Sequence, residues 1–142
     1  MASFNKFQQF VEDLAKQVHD LSSDTFKVVL TAAANAPVNT NTVLANLTEI
    51  ADGNGYTSPG LTAGAAGAEQ TAGTLKFTLA TDPVWTATGG SMAAFRYAVL
   101  YNDSSASDSL VGWWDYGSDL TLAVGETFTL NLDQAAGVLT LA

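Results

Sequence analysis

The segment Phe95–Gly117, FRYAVLYNDSSASDSLVGWWDYG, sets how the rest of the chain is read. It carries Trp113 and Trp114, three of the four tyrosines (Tyr97, Tyr101 and Tyr116) and the only arginine, Arg96. Two strand-like runs, Phe95–Tyr101 and Leu110–Tyr116, flank the polar segment Asn102–Ser109, which is built from Asn, Asp, Ser and Ala. Such a pattern predicts a β-hairpin with a long polar loop. Aromatic area is concentrated here without the spacing of a catalytic site, so the segment reads as part of a rigid β scaffold that binds through packing.

Further strands are predicted on either side of the hairpin. Upstream, Thr74–Leu79 alternates cleanly between apolar and polar residues, and Val84–Thr88 is a shorter run bounded by Pro83 and Gly89-Gly90. Downstream come Leu120–Leu122, Thr127–Leu132 and Val138–Leu141. Thr25–Thr31 puts Phe26, Val28 and Leu30 on one side, as a half-buried strand does. Thr57–Gly73, rich in Gly, Ala and Thr, predicts at most one poorly defined edge strand. Seven or eight short strands with no βαβ alternation predict a mainly β fold, an antiparallel β-sandwich of jelly-roll-like type spanning residues 23–142.

An N-terminal amphipathic helix is expected to precede that sandwich, within residues 1–22. Ser3 can cap it, and it would run to about His19. Phe4, Phe7, Val11, Leu14, Val18 and Leu21 recur at three- and four-residue spacings, and Phe10 and Ala15 widen the stripe. This helix either covers the sandwich or acts as an arm laid on a neighbouring subunit. A second short helix is predicted over Thr42–Ile50, presenting Val43, Leu44, Leu47 and Ile50.

Composition narrows the function classes. The chain of 142 residues is one domain by length, with 47% hydrophobic and 13% charged residues and no cysteine. It can form neither a disulfide nor a thiolate metal site, which suits folding in a reducing cytoplasm. Lys6, Glu12, Asp13 and Lys16 interrupt any leader-like apolar run, so no signal peptide is expected. No stretch approaches the roughly 18 apolar residues of a membrane span, and no membrane partner is expected. Net charge is −9, and beyond residue 31 only Lys76 and Arg96 stand against ten acids. An acidic body repels phosphate backbones, so no nucleic-acid partner is expected.

No constellation suggests an enzyme or a cofactor. His19 is the only histidine, and its expected place at a helix C-terminus favours a role with the helix dipole over one as a general base. One histidine and no cysteine cannot supply a zinc site. Asp103, Asp108, Asp115 and Asp119 cluster on or near the hairpin, but match no EF-hand spacing and read as solvated loop acids. The adjacent Trp113 and Trp114 are more informative. On a strand only one of them can point into the core. The other faces a subunit interface, a sugar-binding platform or intrachain cover. Interface candidates are therefore Phe4, Phe7, Val11, Leu14 and Val18 on the helix, with Trp113 and Trp114 on the hairpin.

Nearly the full chain resembles a family of small structural proteins of tailed bacteriophages. The resemblance rests on Phe10–Leu21 (FVEDLAKQVHDL), Asp24–Leu30 (DTFKVVL), Asn41–Ala45 (NTVLA) and Glu49–Tyr56 (EIADGNGY). Its most specific blocks are Phe95–Asp103 (FRYAVLYND), Gly112–Gly117 (GWWDYG) and Gly125–Phe128 (GETF). The resemblance implies a virion component, made in the host bacterial cytoplasm and carried on the outer capsid surface as a decoration or cement protein. It implies the major capsid protein as partner, with no catalytic residue to carry over. Self-association into dimers or trimers is also expected, since symmetric shells favour it. The alternative is a carbohydrate-binding or adhesion module, or a tail-associated structural protein.

Overall fold

The computed structural model describes residues 2–142 and is mainly antiparallel β. The strands are β1 (Phe4–Lys6), β2 (Phe26–Thr31), β3 (Leu61–Thr62), β4 (Ala66–Thr71) and β5 (Thr74–Leu79). They continue with β6 (Val84–Thr86), β7 (Phe95–Asn102), β8 (Leu110–Leu120), β9 (Thr127–Thr129) and β10 (Leu139–Leu141); one α-helix, α1, spans Gln8–Ala15. Among the described residues the strands form a five-stranded sheet in the order β1-β8-β7-β2-β3, a three-stranded sheet β10-β5-β4 and the pair β6-β9. No helix among them is long and apolar enough to cross a membrane.

The hairpin Phe95–Gly117 supplies β7 and β8 of the five-stranded sheet. Its neighbour β2 is paired along its whole length with β7, from Phe26↔Asn102 to Thr31↔Tyr97. Both faces of these central strands are buried. Phe26, Val28, Leu30, Ala98 and Leu100 face the main core, together with Phe77 and Leu79 of β5 and Trp85 of β6. Val29, Val99 and Tyr101 face a smaller cluster with Phe7 and Leu110, against which Leu44 and Leu47 pack. Covering on both sides explains why β2 and β7 read as continuous apolar runs, a pattern usual for strands without a wet face. Phe26 meets Phe77 edge-on at 5.0 Å between ring centres, joining the five- and three-stranded sheets.

Several elements differ from the sequence expectation. The N-terminal segment does not begin as a helix capped by Ser3. Its first element is strand β1, which pairs with β8 through Phe4↔Trp114, Asn5↔Trp113 and Lys6↔Gly112. The apolar spacing of Phe4 and Phe7 suits a helix, but the ladder with β8 and the packing of Phe4 against Trp114 hold the chain extended. The Phe7 amide still donates outward, to the Val111 carbonyl, and only then does α1 start. It ends at Ala15, four residues before His19, and Gln17 follows in the left-handed region at φ 63°. Few residues adopt that conformation inside a helix.

Over 42–50 the predicted helix is reduced to a single 3-10 turn, Leu44–Asn46. Val43 is extended and bridges Ser109, while the Asn46 side-chain oxygen accepts from the Thr42 and Val43 amides. An asparagine that satisfies backbone donors locally competes with helix formation. The Gly/Ala-rich segment carries two strands, β3 and β4, and the second pairs with β5 from Ala66↔Leu79 to Thr71↔Thr74. Ala72 and Gly73 both have positive φ, as a two-residue hairpin turn requires. Leu120 belongs to β8, and the strands near residues 127 and 138 are shorter than their apolar runs.

Candidate interaction face

Alternation along β8 sends the two adjacent tryptophans to opposite faces of the sheet. Trp114 lies opposite Ala98 and Phe4, 6% exposed, within the main core, with the Phe4 ring 4.9 Å away. Trp113 lies opposite Val99 and Asn5, on the other face. Its indole packs at a tilt against the Phe7 ring, 4.6 Å between ring centres, and remains half-buried. Gly112, the residue before them, permits the close approach of β1. A Cβ there would lie 2.3 Å from the tip of the Phe4 ring and 2.6 Å from the Asn5 carbonyl oxygen.

Around Trp113 an open groove is lined by Phe4, Asn5, Lys6, Val38 and Asn39. The Val38–Asn41 turn is held by the Asn41 amide donating to the Val38 carbonyl, while the Asn41 side chain accepts from the Val38 amide at 2.9 Å. It is pinned beside α1 by the Gln8 amide, which donates to the Asn39 carbonyl at 3.0 Å. Val38 is 51% exposed, and so is Val11, three residues beyond Gln8 on the helix. The result is a shallow surface of one partly exposed indole and the exposed Val38, with amides and one ammonium at its rim, while the Phe4 ring itself turns to the Trp114 side of the sheet.

The seven interface candidates therefore separate by burial. Phe7 is fully buried and supports Trp113 from beneath, and Trp114 is committed to the core. Leu14 is half-buried against the main core, and Val18 is half-buried where the chain leaves the helix. Phe4, Val11 and Trp113 keep exposed area, and the structure brings Phe4 and Trp113 into one groove. Val38 and Asn39 were not singled out in the sequence. They sit in a polar loop whose fold beside α1 has no local signature.

Three of the four hairpin acids have partners of their own. Arg96 makes a two-pronged contact with Asp115, at 2.8 and 3.0 Å, and its guanidinium lies 5.2 Å from the centre of the Tyr97 ring. That contact, with the Gly117 amide, holds the Asp115 carboxyl below the usual carboxylate range. Asp103 pairs with Lys27 at 3.1 Å, and Asp119 accepts from the Ala33 amide. Asp103, Asp115 and Asp119 thus serve separate partners, and no group of three or more metal-ligating side chains occurs among the described residues. His19, expected at a helix end, is instead buried between the Phe10 and Phe26 rings. Burial holds its pKa below the ordinary histidine range, against the pull of Asp13 and Asp24. What the groove around Trp113 offers chemically is contact area rimmed by hydrogen-bonding groups. A scan of protein families, a search of curated proteins and a search of solved structures returned no match to this chain.

Proposed function

We propose that this chain is a non-enzymatic structural protein of a phage virion. It is made in the bacterial cytoplasm and binds the outside of the capsid, where it stabilises contacts between major capsid subunits. In this reading the three sheets form a jelly-roll-like sandwich, supported by the single large core to which all three contribute. The observation that carries the docking assignment is the half-buried Trp113, whose indole keeps part of its area in solvent beside the exposed Val38. A rigid aromatic anchor with apolar neighbours and a polar rim is the arrangement that dominates protein–protein contacts. The acidic charge of the body suits an outer surface better than a lining in contact with DNA. Binding to the assembled shell but not to separated subunits would stabilise it by about 4 kcal/mol per site at a thousandfold excess over Kd. Two or three copies of the chain would associate on the shell.

Co-sedimentation tests the reading. Mixed with heads that lack it, the protein should pellet saturably with expanded heads and not with tails, and Trp113→Ala should abolish most of that binding. Absence of binding to heads by the unmodified protein refutes decoration, and recovery with tails instead establishes the tail-associated alternative. A second reading, a carbohydrate-binding module, draws on Asn5 and Asn39 beside the half-buried indole. Retention on a glycan array that is lost in Trp113→Ala, without binding to heads, would establish that second reading.

A further inference from the structure

Away from the docking face, the molecule contains a buried polar junction centred on Asn102, the last residue of β7, which is fully buried. Its side-chain oxygen accepts from the Ser104 and Ser105 amides at 2.9 and 3.2 Å, shaping the start of the β7–β8 loop. Its side-chain nitrogen donates to Asp24 Oδ2 at 2.6 Å and lies 3.0 Å from His19 Nδ1. Asp24 also accepts from the Asp20 amide. One side chain thus joins the hairpin loop to the turn that follows α1.

These partners leave His19 a single state. Two backbone donors fix the oxygen end of the Asn102 amide, and a carboxylate fixes its nitrogen end, so the amide cannot turn over without breaking all three contacts. The imidazole then meets an N–H donor at Nδ1 and must accept there, which requires a neutral ring with its proton on Nε2. That Nε2 is buried and without a hydrogen-bond partner. We infer that the His19–Asn102 contact is an acid-sensitive latch: adding a proton at Nδ1 sets donor against donor and removes this contact, leaving the turn after α1 held to Asn102 through Asp24 and the Val18 carbonyl and so loosened against the hairpin loop. The charged groups facing the ring are Asp13 on α1 and Asp24 in the turn, and both favour the protonated ring. The turn also contains Asp20, bound to Ser22, while β2 and β7 present the uncharged Phe26 and Asn102. Burial among Phe10, Phe26 and Asn102 outweighs the two carboxylates.

The sign follows from linkage. The unfolded chain takes up the proton near pH 6.5, whereas the folded ring resists it to lower pH. The latch contributes its full stability above about pH 6.5, and this declines as pH falls towards the lower folded value. Within that window the unfolding constant rises by at most about tenfold per pH unit.

His19 is the only histidine, so its ring nuclei report the latch without ambiguity. Nitrogen and carbon NMR of the unmodified protein, taken from pH 8 to 4.5, should show the Nε2–H tautomer at neutral pH. The ring should titrate below its ordinary value, with the Ser104 and Ser105 amide signals moving along the same curve. Urea unfolding should show a loss of stability between pH 7 and 5 that is absent in His19→Gln. An Nδ1–H tautomer, an ordinary titration midpoint, or parallel pH dependence in both proteins would overturn the inference. If His19→Gln does not fold, the tautomer and midpoint of the unmodified ring decide the matter.

Discussion

Trp113 and Trp114 share a peptide bond, a strand and a side-chain type, yet belong to different parts of the molecule. Trp114 faces the core that all three sheets share, closed over by Phe4. Trp113 faces the thinner layer, resting on Phe7 and open to solvent at its other side. The difference comes from the two-residue period of a strand combined with unequal cover on its faces. One face of the five-stranded sheet meets two other sheets. The other meets only loops, the start of α1 and Phe7. An identical side chain is structural on the first face and left available on the second.

Truncation experiments separate the two roles. Trp114→Ala should have the largest effect, about 3–5 kcal/mol of lost stability in urea unfolding, because the cavity is enclosed by packed sheets. A loss near that of Trp113→Ala would erase the distinction between the faces. Next comes Gly112→Ala, whose new methyl collides with the Asn5 carbonyl as well as the Phe4 ring. Backbone cannot swing aside as a side chain can, so the edge strand must shift, at about 1–3 kcal/mol. Amide exchange should then accelerate in Phe4–Lys6 but not across β2 and β7, and uniform acceleration would argue against a local displacement. Trp113→Ala should cost least, about 1 kcal/mol, since only part of its area is withdrawn from water. Its main consequence should appear in binding.

The hairpin that orders this comparison was readable from sequence because its information is local. Phe95–Tyr101 and Leu110–Tyr116 are short apolar runs rich in aromatic and β-branched residues, separated by residues that favour turns. Thr74–Leu79 was read to the residue for the same reason. The N-terminus was misread because Phe4, Phe7 and Val11 fit a helical stripe, whereas Phe4 is held extended by a partner some 110 positions away, Trp114. Periodicity carries no term for such a partner. At the candidate face, alternation alone established that the two tryptophans diverge, but the side each took depended on which face the smaller sheets covered. The Val38–Asn39 turn became part of the groove only through its hydrogen bond to Gln8. The latch was the least accessible: His19 and Asn102 are 83 positions apart, and neither stands out in its own neighbourhood.

The outer strands of the five-stranded sheet are short: β1 has three residues and β3 only two. An unpaired strand edge is a row of free amides and carbonyls onto which a second sheet can grow, and a brief edge offers little for such growth to begin on. For a protein packed at high local density, that brevity separates reversible assembly through side chains from irreversible aggregation through backbone. Many copies could be held side by side on a surface while the five-stranded sheet of each remains its own.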